Sequence, residues 1–327
     1  MGRIIRRVLL GLFILIVLLV AGGYIYLTQA LPRAGEVPEL SVDLTPGRIA
    51  HGEYLAHHVY ACMSCHSEQE FSLFAHPVIP GTYGKGGHVW DEADGLPGTI
   101  IAPNLTPYHL GEWTDGELFH AITTGISRDG RALFPLMPYT AYGKADKEDI
   151  LDIIAYLRSL DPIKNDVPVS KISFPMSLIV NIIPKAPEFM TRPDPSDKIA
   201  YGKYLASVAS CNDCHTPMVK GQYDLTRLFA GGNPFPLDDG NVVTSANLTP
   251  DATGLKSWTE ERFLAAFRVY SDSAYTPPHI PDGNFNTLMP WNEFSAMSDE
   301  ELSAIWAYLQ SLPPVNNPVV RFAANSK

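Results

Sequence analysis

Two five-residue stretches constrain this 327-residue chain more than anything else in it: Cys62-Met63-Ser64-Cys65-His66 and Cys211-Asn212-Asp213-Cys214-His215. The spacing Cys-x-x-Cys-His is the attachment signature of c-type haem. Two thiols that far apart reach the two vinyl groups of one porphyrin and form thioethers, and the next histidine turns its ring to the iron as proximal ligand. A single Cys-x-x-Cys also fits a redox dithiol or half of a zinc site. Two copies, each followed by histidine, in a chain with only four cysteines leave no thiol for a disulfide and point to two covalently bound haem c groups held by Cys62, Cys65, His66, Cys211, Cys214 and His215.

The motifs belong to a longer internal repeat. Gly52-Glu53-Tyr54-Leu55-Ala56 returns as Gly202-Lys203-Tyr204-Leu205-Ala206, and Asn104-Leu105-Thr106-Pro107 as Asn247-Leu248-Thr249-Pro250. Trp113-Thr114 returns as Trp258-Thr259, Leu136-Met137-Pro138 as Leu288-Met289-Pro290, and Ala155-Tyr156-Leu157 as Ala307-Tyr308-Leu309. The order is conserved and the offset stays between 143 and 152 residues. This is one unit used twice. Each copy reads as a first helix running into the haem motif (about 48–61 and 198–210), a Gly/Pro-rich loop, a middle helix after Trp-Thr, a Met-Pro loop and a last helix. Thr114 with Glu117, and Ser298 with Glu301, have capping-box spacing. Ile150, Ile153, Ile154 and Leu157, like Leu302, Ile305, Trp306 and Leu309, follow helical periodicity. No strand pairs stand out, so the expected class is all-α, two tandem domains preceded by a transmembrane helix.

The expected divisions are a signal anchor over 1–30, a tether over 31–45, domains over 46–160 and 197–327, and a Pro-rich connector over 161–196. Val8 to Leu27 is a run of 20 residues without charge behind the basic flank Arg3, Arg6 and Arg7, long enough to cross a bilayer as a helix. Positive flanks stay cytoplasmic, which puts the bulk on the periplasmic side of a bacterial membrane, where haem is joined to such cysteines. An uncleaved anchor is favoured over a cleaved signal. The connector cannot be one helix, because Pro162, Pro168, Pro175, Pro184 and Pro187 interrupt it. Its apolar part, Met176 to Ile183, is too short to span a membrane. It is expected to pack across both domains, or else to touch a bilayer or a partner subunit.

Each haem needs a distal ligand. A thioether raises the potential of the iron and suits electron transfer without substrate binding. Met137 and Met289 sit in register, each followed by a proline, and are the expected ligands. Histidine competes in the first copy through His51, His57, His58, His76, His88, His109 and His120, and in the second through His279. The free ring nitrogens of His66 and His215 should donate to backbone carbonyls, in the first copy near Pro77. Arg128 and Arg131 are placed to pair with haem propionates. Trp113, Trp258, Tyr139 and Trp291 are expected at the haem edge.

These residues resemble class I cytochrome c domains, in which a small residue on the first helix lets an aromatic of the last helix pack close, here Gly52 with Tyr156 and Gly202 with Tyr308. The resemblance covers about 45–160 and 197–315. The Asn-Leu-Thr-Pro and Trp-Thr pairs, with Phe174-Pro175, are similar to the membrane-bound multihaem cytochrome c subunits of periplasmic alcohol, gluconate and related sugar dehydrogenases; those subunits typically carry three haem motifs and this chain has two. The resemblance implies an electron-transfer subunit rather than a catalyst, relaying single electrons between redox partner proteins such as a dehydrogenase or quinol-oxidising complex and a terminal acceptor. The alternative is a dihaem enzyme of peroxidase or thiosulfate-oxidising type with one open-site haem. The net charge of −11 argues against nucleic acid and fits steering of a basic redox partner.

Overall fold

The computed structural model describes residues 2–219, 221–237, 239–281 and 283–324. Seven longer helices organise it: α1 (Gly2–Ile25), α2 (Pro46–Tyr54), α3 (Asp115–Thr124), α4 (Lys147–Ser159), α5 (Lys198–Val208), α6 (Glu260–Arg268) and α7 (Asp299–Ser311). Wide helical turns extend α1 through Tyr26–Ala30 and α2 through Leu55–Val59. α1 is exposed along its length and is apolar and long enough to cross a membrane.

The remaining helices repeat in two halves, α2–α4 and α5–α7, with the same local causes. Thr114 and Glu117 close a capping box at α3, as Ser298 and Glu301 do at α7. Asp146 caps α4, and Thr259 caps α6. Each half crosses its first helix over its last, α2 on α4 and α5 on α7. The crossing is so close that a Cβ on Gly52 would overlap the Asp152 carbonyl, and one on Gly202 the Ala304 carbonyl. Only glycine fits there.

The expected all-α class needs correcting. The chain is helix-rich but also carries short antiparallel sheets among the described residues. Val89–Trp90, Gly98–Ile101 and Lys171–Ile172 form one, Pro234–Pro236, Val242–Thr244 and Phe322–Ala323 another, and Met218–Val219 with Gln222–Tyr223 a hairpin. Strands of two to four residues inside Gly/Pro-rich loops are too short to show a period of two. The third strand of each three-stranded sheet lies past the last helix of its half. The repeat therefore runs beyond α4 into the connector.

The two halves meet in a seam with approximate two-fold character. The turn Leu55–Val59 packs on Trp291–Phe294 of the other half, and Tyr139–Tyr142 packs on α5. At the centre, tyrosines cap helices crosswise. Asp146 N–H donates to the Tyr204 hydroxyl (3.0 Å), which donates to Asp149 (2.5 Å). Reciprocally, Ser298 N–H donates to the Tyr54 hydroxyl (3.2 Å), which donates to Glu301. Asp149 and Glu301 are 3% and 8% exposed, so their hydrogen bonds are charge-assisted and shielded from water. His58 Nδ1 adds a bond to the Glu293 carbonyl (3.0 Å).

The tether does not hang free. Ala34 and Val42 are buried, and Val42 N–H donates to Asp115 at 2.8 Å. The connector follows the first half, with hydrogen bonds from Glu188, Met190 and Arg192 to the Gly143–Asp146 segment. It thus lies along one half and reaches the seam where Arg192 pairs with Asp149 at 3.3 Å.

Gly202→Ala should destabilise the protein by about 1–3 kcal/mol or more, as overpacking against backbone does. Gly47→Ala, in the first turn of α2 with open space around it, should be neutral or stabilising by up to about 1 kcal/mol. Chemical unfolding of the holo protein measures both, and equal effects would contradict the close-crossing role of Gly202.

Candidate functional site

Each Cys-x-x-Cys-His stretch forms a single helical turn, Cys62–Cys65 and Cys211–His215, entered through a left-handed residue, Ala61 (φ 49°) and Ser210 (φ 56°). That entry breaks the first helix so that both thiols and the histidine ring point off one short turn. His66 Nδ1 lies 2.8 Å from the Pro103 carbonyl, and His215 Nδ1 lies 2.8 Å from the Ala246 carbonyl. A carbonyl only accepts, so Nδ1 carries the proton and Nε2 keeps its lone pair. Burial lowers the pKa of His66, and lowers that of His215 to about 4, keeping both rings neutral.

Neighbouring groups hold those two carbonyls in place, and the arrangement is the same twice. Gly86 N–H donates to the His66 carbonyl (2.8 Å) and Gly231 N–H to the His215 carbonyl (2.7 Å). Both glycines have positive φ, 68° and 66°, and a Cβ on either would strike the backbone at Pro103 or Ala246. Asn165 Nδ2 donates to the Gly86 carbonyl (3.2 Å) and Asn317 Nδ2 to the Gly231 carbonyl (3.3 Å). Asn104 accepts from Thr106 N–H at 2.8 Å and donates to the Ile163 carbonyl at 2.8 Å. Asn247 does the same with Thr249 (2.9 Å) and Val315 (2.8 Å). The repeated Asn-Leu-Thr-Pro thus pins the strand behind the histidine to the chain leaving the last helix.

Met137 and Met289 are half-buried against the core. The residues past them turn alike: Tyr139 N–H donates to the Met137 carbonyl (2.8 Å), and Trp291 N–H to the Met289 carbonyl (2.7 Å). Pro138 and Pro290 hold φ at −80° and −77°. Met63 and Met297 are core residues, 1% and 2% exposed. Four of the competing histidines have other partners: His51 with Asp152 (2.8 Å), His57 with the Tyr156 hydroxyl (2.6 Å), His76 with Asn286 (3.1 Å), and His88 stacked on Trp90.

A porphyrin fits these residues. Cys65 and Cys214 have exposed surface, yet burial pushes their thiols up to about 11 and about 12. A group is both reachable and desolvated only on the wall of a crevice. Half-buried apolar pairs in repeat register pack on the same core as Cys62 and Cys211: Leu105 and Leu248, Trp113 and Trp258, Met137 and Met289, Leu160 and Leu312. The two crevices adjoin the seam. Cys65 contributes to the upward shift of Cys214, and Glu293, from the other half, to that of Cys65.

Several expected roles need correcting. The Pro77 carbonyl accepts from Glu70 N–H instead (3.0 Å); Pro103 takes its place because Gly86 lets that strand approach His66. Arg128 pairs with Glu117 (3.3 Å), and Arg131 with Asp129 (3.2 Å), each at the surface. Tyr139 is 1% exposed and its hydroxyl donates to the Leu133 carbonyl (3.3 Å), making it a core residue. Trp291 stacks on Tyr270. Asn165 and Asn317 escaped notice in the sequence, although Pro162-x-x-Asn165 and Pro314-x-x-Asn317 keep the repeat offset. The second methionine loop also has a brace the first lacks. Asn286 accepts from Ala75 N–H (2.9 Å) and donates to the Leu73 carbonyl (3.1 Å), so a first-half loop grips the segment entering Met289.

The fold and site define a c-type haem protein. Residues 199–313 match the family model described as cytochrome c, so the chain contains a cytochrome c domain, and the proteins it is similar to include a diheme cytochrome. It is 28% identical over 302 residues to the cytochrome c subunit of alcohol dehydrogenase (quinone) from Komagataeibacter europaeus, covering 86% of this chain and 59% of that protein. It is 28% identical over 288 residues to a diheme cytochrome c-type protein from Cereibacter sphaeroides, covering 85% of this chain and 90% of that one. The gluconate 2-dehydrogenase cytochrome c subunit of Pantoea cypripedii is 27% identical over 292 residues, covering 81% and 59%. The chain thus spans under two thirds of the length of the dehydrogenase subunits it matches.

Burial raises the Glu293 carboxyl to about 7. The folded state therefore binds a proton more tightly than the unfolded chain, and this group's contribution, full below pH ~4.3, is lost as pH rises toward 7. Glu293→Gln should raise stability by up to about 3 kcal/mol at pH 8 and leave it unchanged near pH 4. Urea unfolding at the two pH values measures this; an equal effect at both would contradict it.

Proposed function

We propose that this chain is a membrane-anchored, dihaem electron carrier whose residues 46–160 and 197–327 are two class I cytochrome c domains. Cys62 and Cys65 would hold one haem and Cys211 and Cys214 the other, with His66 and Met137, and His215 and Met289, as axial ligands. α1 would span the cytoplasmic membrane, with the haem domains on the periplasmic side. The observation that carries this reading is the twofold recurrence of one arrangement: a neutral imidazole oriented by a backbone carbonyl, with a half-buried methionine at the same place in each repeat.

Bound haem supplies reversible one-electron chemistry at iron. The chain's own residues do the rest. The carbonyls of Pro103 and Ala246 orient the histidines and raise their basicity as ligands. The half-buried apolar pairs exclude water and lower the local dielectric. The methionines occupy the distal side, which favours electron transfer over substrate binding. Adjacency of the two crevices at the seam supports passage between the sites. Likeness to dehydrogenase cytochrome subunits supports a membrane dehydrogenase as redox partner, with the acidic surface steering a complementary one.

The oxidised protein should show a methionine–iron charge-transfer band for two haems and no reaction with peroxide. A high-spin haem would instead favour an enzyme with one open site. Met137→His and Met289→His should each lower the potential of one haem only, by on the order of 0.1 V within the ~0.8 V range that axial ligands command. Potentiometric titration reads this, and a variant that leaves both potentials unchanged would overturn that ligand assignment.

A further inference from the structure

The apolar stretch of the connector lies where α1 ends. Residues 172–184 carry no charged side chain and are bracketed by exposed Lys171 and Lys185, in a chain of net charge −11. Val180 turns inward at 3% exposed, while Phe174 (79%), Ile179 (42%) and Ile182 (55%) face outward. Apolar side chains gathered in this way on a water-facing surface call for a cover.

Their position names it. Asn181 Nδ2 donates to the Leu27 carbonyl at 3.0 Å, and the turns Met176–Ile179 and Val180–Ile182 pack against Tyr26–Ala30. Leu27 closes the apolar run that starts at Val8, before the polar Thr28 and Gln29. At about 1.5 Å per residue that run matches the ~30 Å hydrocarbon core of a bilayer, so Leu27 marks its outer boundary. Exposed Tyr24 and Tyr26 stand at the same level, as aromatic residues do at membrane interfaces. The other strand leaving α1 is fixed too, through Ala34 and Val42 buried on the first half.

We propose that Phe174–Ile183 is a second membrane contact, lying in the headgroup layer beside the outer end of α1. Phe174, Ile179 and Ile182 enter the acyl boundary, and Lys171 and Lys185 meet lipid phosphates, the arrangement of an interfacial amphipathic segment. This rests on the reading that α1 spans the membrane. The two contacts, one across the bilayer and one along it, fix how the first half faces the membrane.

The test uses the full holo chain in vesicles of phosphatidylethanolamine and phosphatidylglycerol. The native cysteines are held in thioethers, so single replacements Phe174→Cys, Ile182→Cys, Leu19→Cys and Val320→Cys each accept one bimane label. Brominated acyl chains should quench the labels at 174 and 182 as they do at 19, with loss of quenching by aqueous iodide. The label at 320, exposed elsewhere on the protein, should respond to iodide alone. If 174 and 182 behave like 320 while 19 stays in lipid, the patch is left to a protein partner and the proposal is overturned, although the anchor stands. If 19 is also quenched by iodide, the anchor reading fails and this proposal with it.

Discussion

The close crossing of a first helix over a last helix, at Gly52 and again at Gly202, is the contact on which the rest depends. With no Cβ, each glycine lets the backbones touch. Two positions later stands a tyrosine, Tyr54 or Tyr204. Two residues along a helix are about 200° of rotation, so a helix that faces its own half with glycine faces away from it with tyrosine. One five-residue stretch thereby sets both the crossing within a half and the cap across the seam.

The seam makes the haem crevices neighbours. Tyr204 accepts from the backbone at the start of α4 and Tyr54 from that at the start of α7, so each half adds a bond across the seam to a helix start that already has its own cap. Buried carboxylates at Asp149 and Glu301 make these bonds expensive to break, because removing one partner leaves a charge without compensation. Arg192 relieves Asp149, while Glu301 relies on tyrosines and its own capping box. Behind the crevices the two proximal scaffolds, built from Gly86, Asn104 and Asn165 or from Gly231, Asn247 and Asn317, share their main bonds, and the second adds Thr253, which accepts from Asn247 and Asn317. The distal loops differ, since only Met289 has the Asn286 brace from the other half.

Much of this was legible in the sequence, for identifiable reasons. The Cys-x-x-Cys-His turns and the repeat are written in contiguous motifs, and Thr114 with Glu117 or Ser298 with Glu301 act over three residues. That the histidine nitrogens would meet carbonyls followed from imidazole chemistry. Which carbonyl did not, because Pro103 is brought to His66 by the folding of a loop 37 residues long. The short strands were invisible for lack of a periodic run. The crosswise caps were hidden for a different reason: Tyr54 and Tyr204 were visible as a repeated pair, but nothing local says that a side chain will serve a helix of the opposite half. The likeness to dehydrogenase cytochrome subunits informs the partner class and leaves these contacts to the structure.

Native-state hydrogen exchange at the backbone amides of Asp146 and Ser298 tests the crosswise cap most directly. In the holo protein both amides should exchange slowly, since Asp146 N–H donates to buried Tyr204 and Ser298 N–H is shared between half-buried Tyr54 (3.2 Å) and Glu301 (2.8 Å). Tyr204→Phe should speed exchange at Asp146, in the half that was not changed, and Tyr54→Phe should have a smaller effect at Ser298, whose amide keeps its bond to Glu301. Loss of protection confined to the half that carries the substitution would contradict the crosswise joining of the two halves.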